Sequence, residues 1–312
     1  MRRAPRSGFF ILLAFVLGTG AATVQPTSRL MASAAEADGP EPSGQTAQRA
    51  TVKPVARSVA EAPPDIPFAT ESAGEQQLLA LANQSRQQAG APPLTLDPGL
   101  SQAARIHAQA MLEAGQLSHQ FDGELSLPQR LAAATQLQLD QEGENVALDY
   151  DAQHGHEHLM LSPPHRANLL NPAYNVVGLG VVRSGDRLYI VQDFGHAIPN
   201  YSSTEVKDRI EAAVNHTRRL AGQSVLQRRD LLVADEAACS MAQADKLGTS
   251  PVRKLAERYT VMTYTSLHPE TLPSGAAHAL AGRNLQSFSI GACYARSETY
   301  PTGVYWVVLS LD

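Results

Sequence analysis

Cysteine is nearly absent: Cys239 and Cys293 are the only two among 312 residues, so the chain can close at most one internal disulfide. Charged residues, at 18%, are too few for a coiled coil, and the 22 glycines and 20 prolines follow no collagen-like period. Basic charge is also short. The net charge is −5, and because residues 1–22 hold three arginines and no acid, the remainder carries −8. Such a body offers no electrostatic footprint to nucleic acid, and that partner class is set aside. The apolar run at residues 8–17 is too short for a membrane span, so none is expected in the mature chain. At this length two domains plus extensions are expected.

The short run has the flanks of an export signal, with Arg2, Arg3 and Arg6 before it and Gly20, Ala21 and Ala22 after it. We read residues 1–22 as a signal peptide. Cleaved, or left as an anchor, it puts the working part outside the cytoplasm, secreted or in the cell envelope. No cysteine follows the run, so a lipid-attached N-terminus is not indicated. Residues 23–72 are rich in Ala, Pro, Ser, Thr, Gln and Glu and poor in large apolar side chains. They cannot bury enough surface to offset ordering entropy, which predicts a disordered tether.

Folding is expected to begin where Ser72-Ala73-Gly74-Glu75 has capping-box spacing and Leu78, Leu81, Ala82, Ser85 and Ala89 follow at helical intervals up to Gly90. Asp97-Pro98 opens a second helix whose inner face reads Leu100, Ala103, Ala104, His107 and Met111, making His107 a core histidine. Gly115 stops it, and Ser118-His119 lies beyond on irregular chain. Further helices are predicted over residues 127–136 and 152–161. Strand-like runs at residues 176–182 and 188–194 are joined by a turn at Ser184-Gly185-Asp186.

Helices followed by a hairpin, with an ordered set of motifs between them, resemble the CAP superfamily (cysteine-rich secretory proteins, antigen 5, pathogenesis-related 1; the SCP-like domain), in its bacterial secreted branch. The set is Asn83 and Arg86, Leu94 and Leu96, His119, Gly143-Glu144-Asn145, His165-Arg166-x-Asn168, Gly178-Leu179-Gly180 and Gln192-Asp193-Phe194. The likeness covers residues 75–198. It implies an α+β fold, a CAP-type α-β-α sandwich with a small antiparallel sheet, and a cleft of two histidines and usually two acids. Carried over, the histidines are His119 and His165 and the first acid is Glu144, with Asn145 and Arg166 beside them. The second acid's slot holds Ser162, which weakens a two-carboxylate mechanism.

Two imidazoles and a carboxylate from three loops suit a divalent transition metal such as Zn, with open positions for water. They equally suit a buried hydrogen-bond network in which Glu144 accepts from both rings and fixes how the loops pack. Ser162, the one hydroxyl beside His165, precedes two prolines and reads as a turn residue rather than a nucleophile. Arg166 and Asn168 could grip a carboxylate or phosphate, or hold their own loop. His154 and His158 share a helix face at metal-binding spacing but lack the His-Glu-x-x-His order of zinc peptidases, and are read as solvated surface.

The last third repeats the first. A shift of 132 residues aligns Asn83 with Asn215, Arg86 with Arg218, Gly90 with Gly222 and Leu94 with Leu226, and Ser202-Ser203-Thr204-Glu205 supplies another capping box. Later, Val177-Gly178 matches Ile290-Gly291 and Arg183-Ser184 matches Arg296-Ser297. The cleft residues have no counterparts there, so residues 73–200 read as a complete CAP domain and residues 201–312 as a degenerate copy serving packing or partner binding. Cys239 and Cys293 align with His107 and Gly180, a helix lying over a sheet and a strand within it, and export would allow them to bond. The resulting expectation is an exported, non-catalytic binding module for an envelope, lipid or protein ligand, whose cleft has room for a divalent metal. The alternative is a metal-dependent hydrolase using the same cleft.

Overall fold

The computed structural model describes residues 71–312, together with a two-residue strand β1 (Leu12–Leu13) that runs parallel to one edge of the second sheet. The rest of the expected signal peptide and the tether up to residue 70 lie outside the described residues.

Helix α1 (Ser72–Ala89) opens the first half, but without the expected capping box. Glu71 is the N-cap, and Glu75 is buried against Arg105 through contacts of 2.7 and 2.5 Å, so its carboxylate cannot reach back to close the box. After β2 (Thr95–Leu96), α2 (Pro98–Ala114) is capped by Asp97, which accepts from the Leu100 N–H at 2.8 Å. Helix α3 (Leu127–Ala134) stops two residues early because Thr135 is extended, at φ −119° and ψ 155°. Then come β3 (Gln138–Asp149), α4 (Ala152–Leu161), α5 (Pro163–Leu170), β4 (Val176–Ser184) and β5 (Arg187–Ile198).

The sheet runs β2-β4-β5-β3, antiparallel except for short β2 beside β4, so it is mixed rather than wholly antiparallel. Strand alternation builds three layers. Leu188, Ile190 and Phe194 of β5 pack with Leu78 of α1, Leu159 of α4 and Leu169 of α5. Tyr189 and Val191 pack on the other face with Ala108 and Met111 of α2. Helix α2 crosses β4 so closely that a Cβ on Gly178 would stand 2.1 Å from the Leu100 carbonyl carbon.

The second half holds α6 (Ser203–Leu220), β6 (Gln227–Arg228), α7 (Leu232–Gln243), α8 (Arg253–Ala256), β7 (Thr260–Ser266), α9 (Ala276–Leu280), β8 (Ser287–Ala295) and β9 (Val304–Leu311). Its order β6-β8-β9-β7, with β6 parallel to β8, repeats that of the first sheet. Aligned side chains do the same work. The Arg86 guanidinium donates to the carbonyls of Pro92, Leu169, Asn171 and Tyr174, and that of Arg218 to those of Ser224, Leu280 and Gly282. Asn83 pairs with the backbone of Leu94, and Asn215 with that of Leu226. A Cβ on Gly291 would stand 2.0 Å from the Ala234 oxygen, matching the close approach at Gly178. Cys239 of α7 and Cys293 of β8 lie within bonding reach, with Cα atoms 5.1 Å apart.

The halves pack together. Arg296 donates to the carbonyls of Ala132, Thr135 and Leu137 at 2.8, 2.9 and 3.1 Å, and the Thr302 hydroxyl donates to the Leu139 carbonyl at 3.0 Å. Asp140 bridges His196 of the first half, at 2.6 Å, and His268 of the second, at 3.0 Å.

Candidate functional site

Glu144 lies in the middle of edge strand β3, not on a loop, and His165 lies in α5, so among the three expected site residues only His119 is on irregular chain. Alternation along β3 turns Glu144 toward α2 and α3 and turns Asn145 toward α5. The Asn145 side-chain amide donates to the His165 carbonyl at 3.0 Å, and the Asn168 amide donates to the Glu144 carbonyl at 3.1 Å and to Asn145 Oδ1 at 3.0 Å. Asn168 therefore ties α5 to β3 rather than holding the backbone of its own loop. Arg166 is exposed.

The two imidazoles reach the β3 edge from different layers and meet with ring centroids 6.5 Å apart, 38° between planes. His119 Nδ1 lies 2.8 Å from Glu144 Oε1, with the imidazole 57% exposed and the carboxylate 4% exposed. Glu144 Oε2 takes the guanidinium of Arg130. His165 makes no hydrogen bond to Glu144, contrary to the expectation that both rings would. Burial and then the neighbouring His119 hold the His165 pKa below its ordinary value.

Behind this pair lies a polar cluster. His107 is fully buried, with Nδ1 2.6 Å from Glu124 Oε1 and Nε2 2.8 Å from the Ser118 carbonyl, so it anchors the loop that presents His119. Arg130 also contacts Glu124 at 3.0 Å and the His119 carbonyl at 3.3 Å. Glu124 titrates below the ordinary range, because the Phe121 N–H, His107 and Arg130 together outweigh the upward push of burial. Asp193 stands directly across the β3–β5 ladder from Glu144 and is fully buried, and neither of its oxygens meets an N–H or hydroxyl donor. Burial first, and the Glu144 charge second, hold its carboxyl well above the ordinary value.

Arg130 and Glu124 were not picked out from the sequence, and Asp193 entered only as part of the Gln192-Asp193-Phe194 strand motif. The signal available was Asp193 itself, an acid in the middle of an apolar strand run, which requires a partner inside the fold. Ser162 sits between α4 and α5, with no side-chain cap bond. Exposed His154 and His158 pair with exposed Asp151 and buried Asp149, whereas His156 between them is buried with Nε2 2.9 Å from the Ser85 hydroxyl.

Each Glu144 oxygen already has a protein partner, so a metal held by His119, Glu144 and His165 would have to share or displace the His119 and Arg130 contacts. Among the described residues no three His, Cys, Asp or Glu side chains converge as a metal site, and no helix is long and apolar enough to cross a membrane. A cavity of about 540 Å³ lined by Arg209, His216, Thr217, Glu270, Leu272 and Ser274 belongs to the second half.

Residues 79–194 match the cysteine-rich secretory protein family, CAP. The uncharacterized protein YkwD of Bacillus subtilis strain 168 is 34% identical over 118 residues, 36% of this chain and 44% of that protein, so the chain spans less than half of that relative. An extracellular protein containing an SCP domain from Bacillus anthracis is 29% identical at a TM-score of 0.36, covering 40% of this chain and 41% of its own. An outer surface protein of Borrelia burgdorferi is 18% identical at a TM-score of 0.39, covering 42% of this chain and 99% of its own.

Proposed function

Residues 79–194 being a CAP-family domain, we propose that this is an exported protein, secreted or held in the cell envelope, that works as a non-catalytic binding module. One observation carries the reading. Both oxygens of Glu144 are committed to protein partners, His119 and Arg130, which makes the acid a structural element of the site rather than a base or ligand waiting for a substrate. Ser162 is the N-cap residue of α5, but its side chain makes no cap bond and no hydrogen bond to His165, so it is not a nucleophile oriented on a base. The descriptions of relatives as extracellular or outer surface proteins support export, and the flanks of residues 8–17 support a signal over residues 1–22.

Residues 201–312 act in this reading as a degenerate copy of the first domain. The repeated strand order and the shared roles of Arg86 with Arg218 and Asn83 with Asn215 support common descent within the chain. A second reading, a metal-dependent hydrolase, rests on the ring of His165 and the free Nε2 of exposed His119. The experiment is surface retention of the full chain in an expressing cell. His119→Ala with His165→Ala should leave retention largely intact, and complete loss from a correctly folded double variant would overturn the binding-module reading.

A further inference from the structure

The second half reaches the site of the first through one short helix. Arg296, in the chain just after β8, holds the carbonyls of Ala132, Thr135 and Leu137, the last turn of α3 and the link into β3. A guanidinium there meets carbonyls that have no partner within α3, at the negative end of its dipole. One turn earlier α3 carries Arg130, whose guanidinium bridges Glu144, Glu124 and the His119 carbonyl.

Three features make the aim of Arg130 depend on where α3 sits. Its Nε is buried with no hydrogen-bond partner, so no bond along the stem fixes the guanidinium independently. Leu131, beside it, is fully buried in a cluster with Leu100 and Ala103 of α2 and Leu139 of β3, so that side of α3 rests on those two elements. At its end α3 approaches α2 so closely that a Cβ on Gly99 would stand 2.4 Å from the Ala134 oxygen, which leaves the Arg296 side as the direction in which that end could relax. The second half also holds β3, the strand that carries Glu144, through Thr302 at Leu139 and His268 at Asp140. Both arms of the Arg130–Glu144 pair thus lean on residues 201–312.

We infer that Arg296 is a positioning residue of the His119–Glu144 site: by fixing the end of α3 it sets the Arg130 guanidinium against Glu144, so that the second half governs the geometry of the first half's site. This goes beyond the binding role proposed above and does not depend on what the site binds.

The test uses the full chain and nitrogen-detected NMR of side chains. In the native protein the bridged Arg130 guanidinium should show separate, slowly exchanging Nη resonances, and His119 Nδ1 a resonance displaced by its bond to Glu144. Arg296→Met should abolish the separate Arg130 signals and move that of His119, with partial recovery in Arg296→Lys, which keeps one donor cation. Lys207→Met removes an ion pair to Asp235 inside the second half and should leave both signals unchanged. Should Arg296→Met not fold, Arg296→Gln carries the same test through loss of two of the three carbonyl bonds. Unchanged Arg130 and His119 signals in the folded Arg296 variant, or an equal effect from Lys207→Met, would overturn the inference. Because no partner is needed for this readout, its failure leaves the surface-retention test of function untouched.

Discussion

Glu144 and Asp193 are direct cross-strand partners on β3 and β5, two carboxyl groups inside the protein on the same face of the sheet, one against the Arg130 guanidinium and one held by burial well above its ordinary pKa. Two adjacent buried carboxyls cannot both ionise without a large electrostatic cost. The pH consequence follows from the direction of the shift. Asp193 folded titrates far above its unfolded value of about 4, so its contribution is fully present below that value and is lost as pH rises toward the folded pKa. Asp193→Asn keeps the shape without the proton linkage. Its melting temperature relative to the native protein should therefore climb between pH 5 and pH 8, and a difference that stays flat or falls would show that Asp193 is ionised.

Arg130 should be the most sensitive charged residue of the site. Arg130→Met leaves buried Glu144 and part-buried Glu124 without their fixed cation, which should cost about 3–5 kcal/mol in urea unfolding. Adding Glu144→Gln should recover part of the loss, since it removes the uncompensated charge. Losses that simply add would mean that the two groups do not interact.

The equivalent glycines provide a test of the two sandwiches. Gly178→Ala and Gly291→Ala each force a methyl into backbone, of α2 and α7 respectively, at 2.1 and 2.0 Å. Each should lower stability by more than about 3 kcal/mol or prevent folding, because overpacking costs of 1–3 kcal/mol apply to side chains that can yield. A tolerated Gly291→Ala would mean that α7 does not cross β8 as α2 crosses β4.

The thiols give a fourth check. Thiol titration of the unfolded, unreduced protein should find no free cysteine. Cys239→Ala with Cys293→Ala should cost roughly 2–4 kcal/mol, because the bond closes a long loop, with 54 residues of sequence separation. Two reactive thiols would contradict the pairing.

Much of this architecture was legible because its signals are local. Asp97 and the glycines at 90 and 115 bound the first two helices as expected, and residues 152–161 form α4 as predicted. The hairpin turn is the two-residue loop Gly185-Asp186, with Gly185 at φ 58°. Strand β3 was not legible. Its sequence, Gln-Leu-Asp-Gln-Glu-Gly-Glu-Asn-Val-Ala-Leu-Asp, has few apolar residues in alternation, and it becomes a strand through the register that β5 imposes from about fifty residues away. The site was half legible for the same reason. The motif order named His119, Glu144 and His165, but only a fold can show that Arg130 and His119 use both oxygens of Glu144 while His165 stays apart. The role of Arg296 across the two halves was equally invisible, since its aligned partner Arg183 pairs with Glu71 instead.

The most direct test of the central claim, that Glu144 is committed to protein contacts, is a calorimetric titration of Zn into the folded chain and into Glu144→Gln. The account predicts the same weak or absent heat from both proteins, because two imidazoles without the carboxylate make a poor site. Stoichiometric, tight Zn binding that Glu144→Gln abolishes would contradict it and would favour the hydrolase reading.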